Sequence, residues 1–359
     1  MSKAMVGYIT GQKFSMLGDS GVEFDQFTGL GAIAELEKRL AEFYGMEHAL
    51  CTSSATTALF AIALALELRS ADFITSPLNF GGSLTPWLLL GNRAIFADVD
   101  PDTLTIDPNR LKADLITSRT RAVLAVDLHG YPSDTASLRR VADDLGLWYV
   151  ADAAQAFGAR RNGDPASCLA DAVVLSFNSQ KGLAAGEGGC VLTNNADLYE
   201  QVLWWSQHPL RHKRELGVRI YNEFSFNCRI HPAAAASALR SFDLALERIA
   251  DYQELCFDAL ARLEAADLIY PTCLSALKIT PSFFSVAARP TSSVEDCMRC
   301  LVDDDIEATV TNSLSSVLYK NPVYLRQFRD RRHAASVCPV AEEGINRMTL
   351  SSLRRIRSI

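Results

Sequence analysis

The first two hundred residues alternate between short apolar runs and stretches whose apolar positions recur at helical spacing. Residues 31–45, "GAIAELEKRLAEFYG", have that spacing, and Gly45 is the residue type expected just after a helix. Residues 48–68, "HALCTSSATTALFAIALALEL", predict a short strand, a Ser/Thr turn and then a helix. Because that helix has almost no polar face, we expect it to be buried.

Further apolar runs and helical stretches continue this alternation. The runs "DFITSP", "RAIFADVD" and "TRAVLAVDLHG" each end in polar or turn residues, as strands do. "SDTASLRRVADDLG" predicts an amphipathic helix that begins at a Ser/Asp cap, and "LWYVADAAQAFGA" begins with the next strand. Strands that alternate with helices favour an α/β fold, in which helices cover a mainly parallel central sheet.

The pattern becomes mainly helical after residue 195. The run that begins "HPAAAASALRSF" predicts a single long helix near residues 232–266. We expect this helix to join a large α/β domain, residues 1–240, to a smaller C-terminal α+β domain, residues 241–359.

Composition narrows the classes of function. The 359 residues are 48% apolar and 21% charged, as in a folded globular enzyme. The net charge of −7 provides no broad basic surface, so we do not expect nucleic acid to be the main partner. The longest apolar stretch is too short to cross a bilayer, so we expect no membrane association.

The nine cysteines are scattered singly through apolar runs, which favours reduced thiols and a cytoplasmic location. Cys297 and Cys300 have the spacing of a redox or zinc pair, but no second pair lies nearby in the sequence. We therefore expect no metal site.

Candidate chemistry lies at the predicted strand ends, where parallel sheets bind ligands. Residues 53–59, "SSATTAL", follow a strand and open a helix, which fits a phosphate site or a plain helix cap. Asp152 and Gln155 follow another strand, and the carboxylate fits either a helix cap or a partner for a positively charged ring nitrogen. Ser176 ends a further strand, and Lys181 follows it in a glycine-rich turn, where a lysine can form a Schiff base.

The linked runs "ADAAQAFGA" and "VVLSFNSQKGLAAGEGGCVLTNN" resemble those of the DegT-type (DegT/DnrJ/StrS) family of pyridoxal-phosphate-dependent sugar aminotransferases. The resemblance covers most of residues 27–240 and weakens beyond them. It implies fold type I, the fold of aspartate aminotransferase, and pyridoxal 5′-phosphate as the cofactor.

The resemblance also implies a role for each matching residue. Lys181 and Asp152 would be catalytic: Lys181 would form a Schiff base with the cofactor, and Asp152 would keep its ring nitrogen protonated. Gln155 would lie near the ring hydroxyl and Phe80 would stack on the ring. The phosphate would be held by Ser54, Ala55, Thr56 and Ser176, and by Asn227 from a neighbouring subunit, which implies a homodimer with shared active sites.

The activity implied is ping-pong transfer of an amino group from glutamate or glutamine to a keto sugar linked to a nucleotide. Relatives that dehydrate sugars have histidine where this chain has Lys181, so the lysine favours transamination. One alternative is the same cofactor chemistry on a different ketone or aldehyde. The other is a catalytically inactive protein that binds the cofactor and regulates.

The sequence departs from the family pattern at positions that bear on the cofactor phosphate and on the substrate. The phosphate turn reads Ser54-Ala55-Thr56 instead of Ser-Gly-Thr. On the side predicted to face the substrate, "VDLHG" places Asp127 and His129. The aromatic and basic stretch Trp204–Glu215 fits either a solvated loop or a clamp for a ligand carboxylate or phosphate, formed by Arg211, His212 and Lys213.

Overall fold

The computed structural model describes residues 27–282, 285–303, 305–311, 316–328, 330 and 337–355, so residues 1–26 of the predicted first domain lie outside it. Within these ranges, thirteen strands form one large sheet and two small ones. The strands are β1 His48–Thr52, β2 Asp72–Thr75, β3 Arg93–Phe96, β4 Thr120–Val126, β5 Trp148–Asp152, β6 Arg160–Arg161, β7 Asp164–Pro165, β8 Ala172–Ser176, β9 Gly189–Thr193, β10 Ile279–Thr280, β11 Ser285–Ala288, β12 Ile306–Thr311 and β13 Met348–Arg355.

The large sheet has seven strands in the order β1-β9-β8-β5-β4-β2-β3. β9 runs antiparallel to both of its neighbours, and the remaining neighbours in this sheet pair in parallel. The expected α/β architecture with a mainly parallel central sheet is therefore confirmed. The carboxyl ends of β5, β4 and β8 meet at one edge of this sheet.

Helices connect the strands. They are α1 Ala32–Tyr44, α2 Ala55–Ala65, α3 Gly81–Leu89, α4 Thr135–Leu145, α5 Ala196–Ser206, α6 Pro209–Leu216, α7 Pro232–Ala265, α8 Val294–Asp303, α9 Pro322–Phe328 and α10 Pro339–Gly344, with 3-10 turns at Pro108–Arg110, Ala113–Leu115, Leu128–Gly130 and Leu318–Lys320. Two predicted caps are confirmed: Gly45 ends α1 with a left-handed φ of 65°, and the Asp134 side chain accepts a hydrogen bond from the Ser137 amide of α4.

The core lies on both faces of the large sheet because successive strand side chains point to opposite faces. In β4, Leu124 joins one hydrophobic cluster and Val123 joins the other, and β1 divides Leu50 and Cys51 in the same way. α2 is apolar on every side, as its sequence predicts, because it packs against the sheet, α3 and α5.

The C-terminal part begins along α7, whose 34 residues run past both clusters. β11, β13 and β12 form a small antiparallel sheet, and β10, β6 and β7 form another. The division of the chain at residue 240 falls within α7 and stays a prediction. Among the described helices none is long and apolar enough to cross a membrane, and the described side chains form no cluster suited to a metal ion.

Candidate functional site

Three chain segments meet at Gly189, the first residue of β9. In the sheet register, Gly189 lies opposite Ser176, the last residue of β8, and opposite Thr52, the last residue of β1. The polar residues predicted for a phosphate site on β8 and after β1 are therefore neighbours, although more than a hundred residues separate them in sequence.

The turn at the start of α2 presses against this glycine. A β-carbon at position 189 would lie 2.5 Å from the Ala55 amide nitrogen. This is a steric clash, so the backbone here accepts only glycine without shifting. Ser54 caps α2: its hydroxyl oxygen accepts from the Thr57 amide at 3.1 Å, and its own amide donates to the Thr57 hydroxyl at 3.0 Å. The capping interpretation of "SSATTAL" is thus correct for Ser54.

Capping does not use the first amides of α2. The Ala55 and Thr56 N–H groups belong to the first helical turn, which has no intrahelical acceptors, and the helix dipole favours an anion there. Phe80 lies beside this turn, because a β-carbon on Gly82 would meet both the Phe80 ring and the Thr56 hydroxyl. The Phe80 ring is 71% exposed, so one of its faces is open to a flat ligand.

Asp152 ends β5 as a buried carboxyl group. Ser83 of α3 donates a hydrogen bond from its hydroxyl to Oδ2, and the Ala154 amide donates to Oδ1 at 3.0 Å. Burial raises the pKa of Asp152, while these hydrogen bonds and the nearby Lys181 ammonium favour the carboxylate and oppose the shift. The Asp152 carboxylate is therefore a buried, oriented acceptor that can pair with a positively charged group.

Lys181 lies in the turn between β8 and β9. Its amide donates to the Asn178 carbonyl at 2.9 Å, and Gly186 and Gly188 supply the positive φ angles that return the chain into β9. Burial lowers the pKa of Lys181, and the Asp152 carboxylate partly offsets that effect. A lysine whose neutral amine is favoured in this way is suited to nucleophilic attack on a carbonyl.

Gln155 and His129 form a second part of the site. His129 has a left-handed φ of 57°, and Gln155 Oε1 accepts a hydrogen bond from the His129 amide at 2.7 Å. Burial lowers the pKa of His129 to about 4, so the imidazole is neutral near pH 7. Both residues line a cavity of about 400 Å³ that also includes Phe80.

Asp127 lies behind this wall instead of lining the cavity. Its carboxylate accepts from the Ser133 amide and the Ser167 hydroxyl, both at 2.8 Å, and burial raises its pKa to about 6. A direct substrate contact predicted for Asp127 is not supported, because its carboxylate is buried and its two oxygens are bonded to Ser133 and Ser167. The predicted contact of His129 with substrate stays a prediction that the cavity favours.

Arg211 and His212 are not in this cavity. Arg211 is 2% exposed and its guanidinium bonds Glu37 and Glu215, each at 2.7 Å, while His212 bonds the Leu203 carbonyl at 2.9 Å. Trp204–Glu215 is also not a solvated loop, since α6 occupies much of it. Neither interpretation therefore describes these two side chains, which stabilise the packing of α6. Lys213 is exposed on α6, and its role in substrate binding stays a prediction.

Asn227 is exposed in the segment between α6 and α7. That segment is anchored at the site, because the Ser53 amide donates to the Cys228 carbonyl at 2.7 Å and Thr52 pairs with Arg229. Asn227 therefore lies exposed on the surface, next to the segment that bonds the predicted phosphate turn at Ser53.

Sequence reasoning missed two residues of this site. Ser83 carries no signal of its own, since a serine in the first turn of a helix is common and only the fold brings it to Asp152. Asn79 precedes the predicted ring-stacking Phe80 and lines the same cavity. Its position next to Phe80 was a signal available from the sequence.

The chain is similar to known proteins. A model described as the DegT/DnrJ/EryC1/StrS aminotransferase family matches residues 22–353. The spore coat polysaccharide biosynthesis protein SpsC of Bacillus subtilis is 36% identical over 179 residues, 50% of this chain and 46% of that protein. UDP-2-acetamido-2-deoxy-3-oxo-D-glucuronate aminotransferase of Pseudomonas aeruginosa is 30% identical over 225 residues, 62% of this chain and 61% of that protein. The chain spans about half the length of these curated relatives.

Among solved structures, DesI in the presence of its TDP-sugar product has a TM-score of 0.70 and 28% sequence identity. The match covers 89% of this chain and 79% of DesI. The expected fold type I is confirmed by this likeness.

Proposed function

Because the chain belongs to the DegT/DnrJ/EryC1/StrS aminotransferase family, we propose that it is a pyridoxal-phosphate-dependent sugar aminotransferase. Its reaction is ping-pong transfer of an amino group from glutamate or glutamine to a keto sugar linked to a nucleotide, with Schiff-base attachment at Lys181. The observation that carries the proposal is the placement of a partly buried lysine, Lys181, in the turn after β8, near Asp152, the buried carboxylate that ends the neighbouring strand β5.

The chemistry of the described residues supports an assignment for each polar group of the cofactor. The Ala55 and Thr56 amides, with Ser54 and Ser176, would form a phosphate cradle, and the close packing of Gly189 between these segments supports this. Asp152 would hold the protonated ring nitrogen. Gln155 uses its Oε1 on His129, which leaves its amide N–H groups to donate to the ring hydroxyl. The exposed Phe80 ring would cover one face of the cofactor.

Pyridoxal phosphate, when bound, supplies an aldehyde for attachment and a ring that withdraws electrons from the carbon beside the transferred nitrogen. Lys181 Nζ would hold the cofactor and, once the amino donor displaces it, would move a proton to and from the substrate carbon. Its neutral amine, favoured by burial, is the form that can accept that proton. Asp152, which is buried from solvent, would stabilise the charged ring nitrogen throughout.

A second copy of the chain would complete the site. Large apolar side chains near Asn227 are exposed: Phe224 at 89%, Ile220 at 78%, and Tyr221 and Phe226 less so. An apolar surface of this kind beside a polar side chain predicted to reach a partner's phosphate supports a homodimer. Phe224→Glu should shift sedimentation toward the monomer, whereas Leu169→Glu, at an exposed leucine elsewhere, should not. Dimerisation that survives Phe224→Glu would contradict this assignment of the interface.

Absorbance spectroscopy tests the activity. The purified protein should be yellow with cofactor, and glutamate should bleach that band as the amine form accumulates. Borohydride should fix the cofactor to the peptide that contains Lys181. Lys181→Ala should lose the bleaching by glutamate and the fixation by borohydride. Lys112→Ala, at an exposed lysine, should keep both of these responses.

The same measurement separates the alternatives. A yellow protein whose spectrum no amino acid alters would favour a regulatory protein that only binds the cofactor. A protein that glutamate bleaches, but whose yellow form no keto sugar restores, would favour a different ketone or aldehyde as acceptor.

A further inference from the structure

The amide side chain of Asn79 is buried without a hydrogen-bond partner among the described residues. Asn79 is 5% exposed, and neither its Nδ2 nor its Oδ1 atom is bonded. Buried polar groups in folded proteins are nearly always paired, and an unpaired one destabilises the fold. An ordered water or a ligand can supply the missing partner, and the place of Asn79 in the wall of a cavity favours a ligand.

Asn79 is also fixed in position next to the cofactor site. It follows a turn in which the Ser76 hydroxyl donates to the Leu78 carbonyl at 2.9 Å, and the Leu318 amide donates to the Pro77 carbonyl at 2.9 Å. It directly precedes Phe80 and lies in the wall of the 400 Å³ cavity with His129 and Gln155. Because its amide has no bonds to break, the side chain can rotate toward a ligand in that cavity without losing any.

The rest of the cavity wall is neutral and largely apolar on one side. The described residues that line it include no Asp, Glu, Lys or Arg. α3, α9 and the turn before α9 contribute apolar side chains, among them Leu84, Leu88, Leu318, Tyr324 and Phe328. A carboxylate placed here would lose its hydration and gain no cationic partner among these residues. A hydroxylated ring would pack its C–H edge on the apolar side and direct its oxygen atoms to the amides and the imidazole.

We propose that Asn79 is a specificity-determining residue that hydrogen-bonds an uncharged, hydroxylated ring of the amino acceptor, and that the apolar side of the cavity, away from Lys181, disfavours a carboxylate on that ring. This inference rests on the proposed function, because it takes the ligand of the cavity to be the acceptor. It adds a residue and a charge criterion that the proposed function does not contain.

Three sugars that differ only at C6 are suitable probes: D-galactose, with a hydroxymethyl group, D-fucose, with a methyl group, and D-galacturonate, with a carboxylate. Ligand-observed NMR titration of the cofactor-loaded protein gives their relative affinities without turnover. D-galactose or D-fucose should bind at least about tenfold more tightly than D-galacturonate. Equal or tighter binding of D-galacturonate, or no binding of the neutral sugars, would overturn the proposal.

Asn79→Leu separates a ligand contact from a structural role. Binding of the neutral sugars should weaken by about three- to tenfold, the range for one or two lost hydrogen bonds. The melting temperature of the ligand-free protein should stay the same or rise, because an apolar side chain replaces an unpaired amide. A structural asparagine would give the opposite result, with a lower melting temperature and unchanged binding.

Asn109→Leu makes the same change at an exposed residue that does not line the cavity, and it should leave sugar binding unchanged. If Asn79→Leu fails to fold, Asn79→Ala removes the amide without adding bulk and gives the same binding comparison. The response to glutamate is measured on the same samples. A failed glutamate response with intact, Asn79-dependent sugar binding would contradict the proposed function alone, whereas the reverse would contradict only the role of Asn79.

Discussion

Gly189 and Ala55 pack so closely that a β-carbon on the glycine would lie 2.5 Å from the Ala55 amide nitrogen. Gly189 opens β9, and Ala55 opens α2. Their contact fixes the start of a helix against the strand that follows the lysine turn. Two halves of the site that are distant in sequence are aligned by the absence of one methyl group.

Gly189→Ala should therefore weaken cofactor binding. The added methyl group must push the turn at Ala55 away from Ser176, and strain of about 1–3 kcal/mol corresponds to roughly a 5- to 150-fold loss of affinity. Fluorescence titration of the cofactor-free protein measures this loss. Gly146→Ala is the control. Its left-handed φ of 63° makes this change destabilising too, but the new β-carbon would meet no atom within 4 Å. Equal cofactor affinity in the two variants would contradict the role of this contact.

Ser83→Ala should slow the reaction with the amino donor by about tenfold. The lost hydroxyl is a hydrogen-bond donor that favours the Asp152 carboxylate, so the pKa of Asp152 should rise further. The acidic limb of the pH–rate profile, measured by stopped-flow absorbance, should then move to higher pH. Ser83→Thr keeps a hydroxyl and should restore the profile. A uniform loss of rate at every pH would indicate a packing defect instead.

Asp127 and His129 should give opposite pH dependences of stability. Burial raises the pKa of Asp127 from 3.8 to about 6, so the stability it contributes below pH 4 is lost as the pH rises to about 6. Burial lowers the pKa of His129 from 6.5 to about 4, so the stability present above pH 6.5 is lost as the pH falls to about 4. The two effects oppose each other between about pH 4 and 6.

Asp127→Asn should remove the loss of stability that ionisation of Asp127 causes as the pH rises. The amide can still accept from the Ser133 amide and donate to the Ser167 hydroxyl, so the variant should gain on the order of 1–3 kcal/mol relative to wild type as the pH rises from 4 to 7. Urea unfolding across this range measures the difference. Asp164→Asn changes an exposed carboxyl group and should show no such trend. A gain that does not vary with pH would exclude titration of Asp127 as its cause.

Glu37→Gln should destabilise the protein by about 1–3 kcal/mol, because it removes one of the two carboxylates, Glu37 and Glu215, that pair with the buried Arg211 guanidinium. Glu42→Gln breaks an exposed pair with Lys38 on the same helix and should cost less than about 1 kcal/mol. Denaturant unfolding provides both values. If Arg211 bound substrate instead, Glu37→Gln would chiefly raise the KM for substrate and change stability little.

The order of strands and helices was predictable because their apolar periodicity is strong, and Lys181, Asp152 and the 53–57 turn were predictable because each follows a strand. The environment of Arg211 was not predictable. Its partner Glu37 lies 174 residues away, and a stretch rich in basic residues has the same composition whether it is solvated or buried. Ser83 and Gly189 escaped for the same reason, since their roles depend on which distant residue the fold brings to them.

The pairing of β1 with β9 has a consequence for the order of folding. β1, residues 48–52, pairs with β9, residues 189–193, so this contact closes a loop that contains the whole parallel part of the sheet. Contacts between residues this far apart form slowly, because the chain must lose much conformational freedom before it gains them. A ribosome must also have synthesised residue 193 before the pairing can exist. The two halves of the phosphate cradle therefore meet only after the last strand of the large sheet has been synthesised.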